Sequence, residues 1–266
     1  MAPTIHQRVA GYLWHWDTGP GWVRSPSAEL KALRSDGMRV LKVQMQDDGP
    51  LPGPLVRMWR GLGFKVWGMV WPQGPPLSGS STWGARETAE WFRAEKDRLV
   101  REGANLDGAD FNFEQPVMQK DLESNGAWSM AFSNRFRELC PTLPAALDTY
   151  YGSAAGGVNL GAYVVPGKNF RLNVQTFWGP DGIYDDPAWR VVGWTSNAEP
   201  PIPKAQVKLI TRVSPNNQGQ LPDFAQVIDD MVRQGLKGLQ LYYIDGGNVD
   251  QMRGIVRAAI QRGAAY

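Results

Sequence analysis

Short apolar segments alternate with amphipathic segments from one end of the chain to the other. Eight of the apolar segments are mostly continuous runs, which is typical of parallel strands buried on both faces. The pattern predicts strands at residues 11–16, 39–46, 64–71, 108–114, 145–150, 171–177, 207–213 and 238–244.

Between these runs, apolar residues recur at helical spacing and predict at least six helices. The first is expected to be capped by Ser25, with Pro26 in its first turn, and to end at residues 36–37. The last is expected to be capped by Asn248, with Gln251 three residues on. The others are predicted at residues 53–62, 83–102, 126–139 and 222–234. Two long loops rich in Gly, Pro and Trp, 152–170 and 178–206, stand where a fifth and a sixth helix would be missing or shortened.

The repeated strand–helix units predict an α/β fold. No composition break divides the 266 residues, and about 250 residues is the usual size of a (β/α)8 barrel. We therefore predict that residues 1–266 form a single (β/α)8 TIM barrel with shortened or irregular units in its second half. A doubly wound open sheet is the alternative, although no strand is followed by a glycine-rich phosphate loop.

Charge and cysteine content narrow the classes of function. A net charge of +2, with evenly scattered Lys and Arg, argues against nucleic acid as a partner. No apolar run approaches the roughly 20 residues of a membrane helix, and residues 1–10 lack the layout of a signal peptide. Cys140 is the single cysteine and His6 and His15 are the only histidines, so an intrachain disulfide, a Cys/His metal site and a cofactor are not expected.

The predicted fourth strand carries polar residues where a buried strand should be apolar. Successive side chains of a strand alternate faces, so Asp110, Asn112 and Glu114 share one face while Phe111 lies on the other. Buried carboxylates without partners cost several kcal/mol, which predicts that the polar face lines the barrel interior and opens toward a pocket. Asp110 can equally be a buried, hydrogen-bonded structural residue. Asp107 is expected to cap the start of the strand and not to contact substrate.

Function in such barrels resides at the carboxyl ends of the strands. The chain contains twelve Trp, several of them at these ends, and tryptophan stacks well on sugar faces, although about half must be core fillers. This polar and aromatic mouth predicts a carbohydrate partner. The candidate substrate-binding residues are Trp14, Trp16, Asp17, Gln46, Asp47, Trp71, Tyr150, Gln175, Trp178, Arg212, Tyr243 and Asp245.

The run Asp107-Gly-Ala-Asp110-Phe-Asn112-Phe-Glu114-Gln-Pro116 resembles the Asp-Gly-x-Asp-x-Asp-x-Glu strand of the family 18 glycoside hydrolases, the chitinases and endo-N-acetylglucosaminidases. Weaker similarities cover residues 174–180 in the sixth strand and 238–242 in the eighth. The resemblance implies a (β/α)8 barrel in which Glu114 protonates the glycosidic oxygen while the substrate's own N-acetyl group attacks the anomeric carbon. The catalytic candidates are therefore Glu114, Asn112 and Asp110.

Three positions depart from that family. Its third aspartate, which orients the acetamido group, is Asn112 here, its sixth-strand tyrosine is Phe177, and its eighth-strand tryptophan is Tyr242. The Asn112 amide oxygen can still accept a hydrogen bond from the acetamido N–H, and the family 85 endo-N-acetylglucosaminidases are similar in using an Asn-x-Glu pair. Phe177 removes a hydroxyl donor.

Two classes of function follow from this combination. One is a retaining glycoside hydrolase that acts on a chitin-like, peptidoglycan or other N-acetylated glycan. The other is a catalytically weak or inactive barrel that binds glycans or has a structural role, for example as a minor tail protein in a phage virion with assembly partners. Because no signal peptide is evident, we expect the protein to be synthesised in the cytoplasm. It would then be a phage lysin or virion component, or a cytoplasmic enzyme that acts on imported oligosaccharides.

Overall fold

The computed structural model describes most of the chain, with gaps at several loops and at both ends. The described residues are 8–13, 27–45, 49–70, 84–113, 122–149, 170–176, 184, 186–198, 201–215, 219–236, 238–244 and 248–264, with backbone alone at 112–113, 122–130, 149 and 170.

Eight parallel strands close into a barrel in sequence order, with β1 hydrogen-bonded to β8. This confirms the predicted TIM barrel and rules out the open doubly wound sheet. The strands are β1 (Ala10–Leu13), β2 (Val40–Gln44), β3 (Lys65–Val70), β4 (Gly108–Phe113), β5 (Ala145–Thr149), β6 (Phe170–Gln175), β7 (Val207–Arg212) and β8 (Leu239–Tyr242). Each lies within or one residue from its predicted run. That residues 1–266 form one domain stays a prediction.

Seven α-helices lie in the described part of the chain. They are α1 (Ala28–Asp36), α2 (Gly53–Gly61), α3 (Ala85–Arg101), α4 (Leu122–Leu139), α5 (Ala188–Val192), α6 (Phe224–Arg233) and α7 (Val249–Gln261). The predicted irregularity of the second half is confirmed at α5, which has five residues and continues into a π-helical segment, Gly193–Asn197. A 3-10 turn, Lys204–Gln206, then leads into β7.

Three details of the helix predictions were wrong. The cap of α1 is Ser27, whose side chain accepts a hydrogen bond from the Leu30 N–H at 3.3 Å, and not Ser25. Helix α4 begins four residues before the predicted position 126. Asn248 occupies the N-cap position of α7, but its side chain makes no capping bond and donates instead to the Tyr243 carbonyl at 3.1 Å.

The main hydrophobic core lies between the barrel and the surrounding helices. On β4, Phe111 packs at 4.3 Å, centroid to centroid, from Phe132 of α4 and at 5.6 Å from Phe92 of α3. Cys140 is buried at the end of α4, and burial raises the pKa of its thiol, which fits the predicted role of a small apolar side chain. The outward direction of Phe111 fixes the opposite direction for its neighbour Asp110.

Inside the barrel, Ala10 of β1, Val40 of β2, Trp67 of β3 and Ala146 of β5 form a small apolar cluster. Gly108 of β4 faces the Trp67 ring so closely that a Cβ atom would lie 2.3 Å from it. Asp107, just before β4, accepts a hydrogen bond from the Val66 N–H at 3.0 Å and ion-pairs with Arg60 and Lys65. The predicted structural role of Asp107 at the strand entry is thereby confirmed.

Candidate functional site

A buried ion pair crosses the barrel interior between strands that are not neighbours. The Lys42 Nζ of β2 lies 2.6 Å from the Asp110 Oδ2 of β4, and the two side chains are 1% and 0% exposed. The distance is that of an ion pair, although the angles are not those of a hydrogen bond. Lys42 Nζ also lies 5.8 Å from the centre of the Trp67 ring. Asp110 therefore points into the barrel, as predicted, and meets a cation there.

Asn173 of β6 links Asp110 to a second carboxyl group, that of Asp148 on β5. Its Nδ2 donates to the Asp110 Oδ1 at 3.0 Å and also to the Asp148 Oδ1. Lys42 Nζ lies 3.9 Å from the same Asp148 oxygen. Inward side chains of the alternate strands β2, β4 and β6 thus meet, as in the layered interior of TIM barrels.

The pKa of Asp148 is raised well above the ordinary aspartate value. Burial is the largest cause, followed by repulsion from Asp110, while Lys42 and the hydrogen bond from Asn173 act in the opposite direction. Two carboxyl groups so close together do not readily ionise at the same time. We therefore assign the negative charge to Asp110, beside Lys42, and the proton to Asp148.

A second lysine, Lys208 of β7, is buried in the same interior and is 1% exposed. Its pKa is lowered well below the ordinary lysine value, first by burial and then by repulsion from Lys42, with Asp110 and Asp148 opposing. Within the described part of the chain it has no ion-pair partner at 4.0 Å or less. The described interior thus holds the Lys42–Asp110 ion pair, together with an aspartate whose pKa is raised and a lysine whose pKa is lowered.

The carboxyl end of the barrel is seen at β6, β7 and β8. Gln175 ends β6 and is buried, and its carbonyl oxygen accepts a hydrogen bond from Arg190 at 3.0 Å. Arg212 ends β7, is partly exposed, and donates through Nε to the Ser214 hydroxyl at 3.3 Å. Tyr242 and Tyr243 are also partly exposed, with ring centres 5.4 Å apart and a cis peptide bond between them.

Tyr242 in turn lies 5.2 Å from Tyr12 of β1, centroid to centroid. An aromatic group at the end of β8 was expected from the sequence, and it forms part of the described mouth. Gln240, two residues earlier, is fully buried, and neither polar end of its side chain has a hydrogen-bond partner within the described residues. A polar group of this kind in a barrel interior is usually satisfied by water or ligand.

The other sequence-predicted site residues are only partly covered by the structure. Asn112 lies on β4, with its Cα paired in register with that of Asp148, and its side chain is outside the described residues. The remaining candidates also fall outside the described residues, namely Glu114, Trp14, Trp16, Asp17, Gln46, Asp47, Trp71, Tyr150, Trp178 and Asp245. Their roles stay predictions.

Sequence reasoning missed Lys42, Asp148, Asn173 and Lys208 as members of the interior cluster. A signal was present in β2 and β7, where one lysine interrupts each apolar run. In a strand predicted to be buried on both faces, such a lysine cannot reach solvent and must face the barrel interior.

Two further features bear on the class of protein. The described residues contain no group of three or more His, Cys, Asp and Glu side chains arranged to hold a metal ion. No helix in the described part of the chain has the length and apolar character of a membrane span.

Comparison with known proteins relates the chain to TIM-barrel enzymes by structure alone. No protein-family model matches the chain, and no curated protein matches its sequence. Active domain 2 of a chitinase from Pyrococcus furiosus is similar, with a TM-score of 0.67 and 12% identity over 100% of this chain and 99% of that one. The catalytic domain of a family GH18 chitinase from the fern Peteris ryukyuensis has a TM-score of 0.62 and 13% identity, over 95% of this chain and 98% of that one.

A sugar phosphate isomerase/epimerase from Parabacteroides distasonis is also similar, with a TM-score of 0.57 and 12% identity over 96% of this chain and 94% of that one. Glycoside hydrolases and sugar isomerases therefore share this architecture. At such low identities the likeness shows the fold alone, a divergent TIM barrel, because one fold carries many unrelated activities.

Proposed function

We propose that the barrel is a retaining glycoside hydrolase that acts on an N-acetylhexosamine glycan by substrate assistance. The observation that carries this proposal is the inward direction of Asp110 on β4. Alternation along an extended strand then predicts that Asn112 and Glu114 face the interior as well, farther toward the carboxyl end. The chitinases among similar structures support it at the level of the fold.

In the proposed reaction, Glu114 donates its proton to the glycosidic oxygen as the leaving group departs. The acetamido oxygen of the substrate attacks the anomeric carbon, and Asn112 accepts a hydrogen bond from the acetamido N–H. Water then opens the resulting ring, with Glu114 acting as a base, so the anomeric configuration is retained. Partly exposed aromatic side chains at the mouth, such as Tyr242 and Tyr243, would stack on sugar rings.

The second candidate is a glycan-binding or structural barrel with weak or no catalysis. Asn112 and Phe177 favour it, because each replaces a group that assists catalysis in the family that the β4 motif resembles. The Lys42–Asp110 pair also favours it, because a cation fixed on Asp110 holds that carboxylate in a structural contact. Quenching of tryptophan fluorescence by soluble chitin or peptidoglycan fragments would support glycan binding in either case.

Hydrolysis of chitooligosaccharides and of wall glycan, with product anomers followed by NMR, separates the two candidates. We expect Glu114→Gln to lower turnover by about 10²-fold or more while fold and glycan binding persist. Glu138→Gln is the matched control, because Glu138 is an exposed glutamate of α4 that pairs with Arg135. Inactivity of the wild type on every N-acetylated glycan, or unchanged activity in Glu114→Gln, would leave the binding or structural barrel as the better account.

A further inference from the structure

We propose that Asp148 is a further catalytic residue of this barrel, and that its carboxylate contacts the acetamido group of a bound N-acetylhexosamine in place of the carboxylate that position 112 lacks. This inference rests on the proposed function and adds a residue to the same site. It is carried by the strand register, by the contacts of Asp148 and by its exposure.

The register of β4 and β5 puts Asp148 at the level of the missing carboxylate. The Cα of Asp148 pairs with that of Asn112, whereas Asp110 pairs with Ala146. Asp148 therefore lies two residues farther toward the carboxyl end of the barrel than the level of the Lys42–Asp110 pair. A carboxyl group that is absent from β4 at this level is present on the adjacent strand.

Among Asp148, Asp110 and Lys42, Asp148 has the largest exposed fraction of its side chain. Its side chain is 4% exposed, against 0% for Asp110 and 1% for Lys42. The hydrogen bond from Asn173 holds one carboxyl oxygen, Oδ1, and fixes the orientation of the group. The carboxyl group of Asp148 also has a hydrogen bond with that of Asp110, which favours its protonated form. In the proposal, ionisation releases this bond and Oδ2 is the atom that meets the ligand.

Four charged or polar groups face Asp148 from the surrounding strands. They are Lys42 of β2, Asp110 of β4, Asn173 of β6 and Lys208 of β7. Burial and Asp110 favour its proton, whereas Lys42 and Asn173 favour its ionised form. The group is thus poised to ionise above the ordinary aspartate range, and the nearby lysines balance the charge that results.

The ionised form has a defined part in the reaction. As the acetamido oxygen bonds to the anomeric carbon, the electron pair of the broken glycosidic bond leaves with the oxygen that Glu114 protonates. Positive charge then remains on the ring formed from the acetamido group, and its N–H becomes a stronger donor. Once ionised, an Asp148 carboxylate that shares this N–H hydrogen bond with the Asn112 amide oxygen stabilises the positive charge.

The pH dependence of turnover follows from these two roles. Glu114 must be protonated, so its ionisation sets the alkaline limb, and Asp148 must be ionised, so its protonation sets the acidic limb. Because the pKa of Asp148 is raised, we expect the acidic limb to lie above the ordinary aspartate range of about 4.

The test compares kcat and KM across pH for the wild type, Asp148→Asn and a matched control. We expect Asp148→Asn to lower kcat by about 10²-fold, to change KM little, and to lose the acidic limb. The control is Asp230→Asn, since Asp230 of α6 is likewise buried, has a raised pKa and ion-pairs with Arg233 outside the barrel interior. It should keep the wild-type profile.

A second measurement needs no substitution and therefore does not depend on the folding of a variant. Carboxyl ¹³C NMR of aspartate-labelled wild type should show aspartates that titrate above the ordinary range, among them Asp148 and Asp230, and one of these signals should shift when triacetylchitotriose binds. An active wild type whose acidic limb persists in Asp148→Asn, or in which no high-titrating carboxyl responds to the sugar, overturns the role of Asp148 alone. A wild type that hydrolyses no N-acetylated glycan overturns the proposed function and this inference together.

Discussion

Replacing Lys42 with methionine should show how strongly the interior depends on one cation. The Nζ–Oδ2 distance of 2.6 Å to Asp110 corresponds to an attraction of about 6 kcal/mol at an effective dielectric constant of about 20. Removing one partner of a buried pair costs about 3–5 kcal/mol, because the remaining charge stays buried without compensation. We therefore expect Lys42→Met to lower the free energy of unfolding by about 3–5 kcal/mol.

Substitution of the other partner, Asp110→Asn, should lower the free energy of unfolding by less, because Lys42 has a second carboxyl group nearby. Asp148 Oδ1 lies 3.9 Å from Lys42 Nζ, which corresponds to about 4 kcal/mol on the same scale. Burial is the larger cause of the raised pKa of Asp148 and repulsion from Asp110 the next, so loss of Asp110 lets Asp148 ionise more readily and replace the lost counter-ion. The difference between the two attractions predicts a cost of about 2 kcal/mol.

Urea unfolding at pH 7, followed by far-UV circular dichroism, gives the free energy of unfolding of both variants. Lys65→Met is the matched control, because Lys65 pairs with Asp107 at 3.3 Å but is 50% exposed, and such pairs contribute about 1 kcal/mol or less. A cost of Lys42→Met no larger than that of the control would refute the interior ion pair. A cost of Asp110→Asn equal to or above that of Lys42→Met would refute the exchange of counter-ions.

Three further predictions concern the interior, the outer core and a helix end. Lys208→Met should raise the free energy of unfolding at pH 7 by about 1–3 kcal/mol, since it removes a buried amine without an ion pair. Because the folded pKa of Lys208 is lowered, the wild type should gain stability as pH rises toward about 10, and Lys208→Met should lose this gain in urea titrations across pH. Phe111→Ala should cost about 3–5 kcal/mol by opening a cavity between α3 and α4, whereas Ser27→Ala should cost about 1 kcal/mol, both measured by urea unfolding.

The alternation within β4 was predictable from the sequence because it is a local property. Apolar Phe111 and polar Asp110 are adjacent, so an extended backbone sends them to opposite faces, and the structure confirms both directions. The strands were predictable for the same reason, since continuous apolar runs indicate burial on both faces. These inferences need no knowledge of which strands meet across the barrel.

The partners of Asp110 could not be predicted in this way. Lys42 and Asn173 belong to β2 and β6, which are not hydrogen-bonded to β4, and their contacts depend on closure and stagger of the whole barrel. The prediction of the α1 cap was wrong for a different reason. Ser25 and Ser27 are both suitable capping residues two positions apart, so local preference hardly separates them and the packing of α1 on the barrel decides.

The protonation pattern of the interior bears directly on the reaction that we propose. Lys42 is paired with Asp110, and the shifts at Asp148 and Lys208 each favour the uncharged form of the group, because the pKa of Asp148 is raised and that of Lys208 is lowered. Positive charge that develops on a bound substrate in the transition state would favour ionisation of Asp148, and Lys42 lies 3.9 Å from its Oδ1 to stabilise the carboxylate that results. The Lys42–Asp110 pair alone suits a structural barrel, but the addition of Asp148 beside it favours the enzyme, since an apolar side chain of similar volume would stabilise a structural interior as well or better.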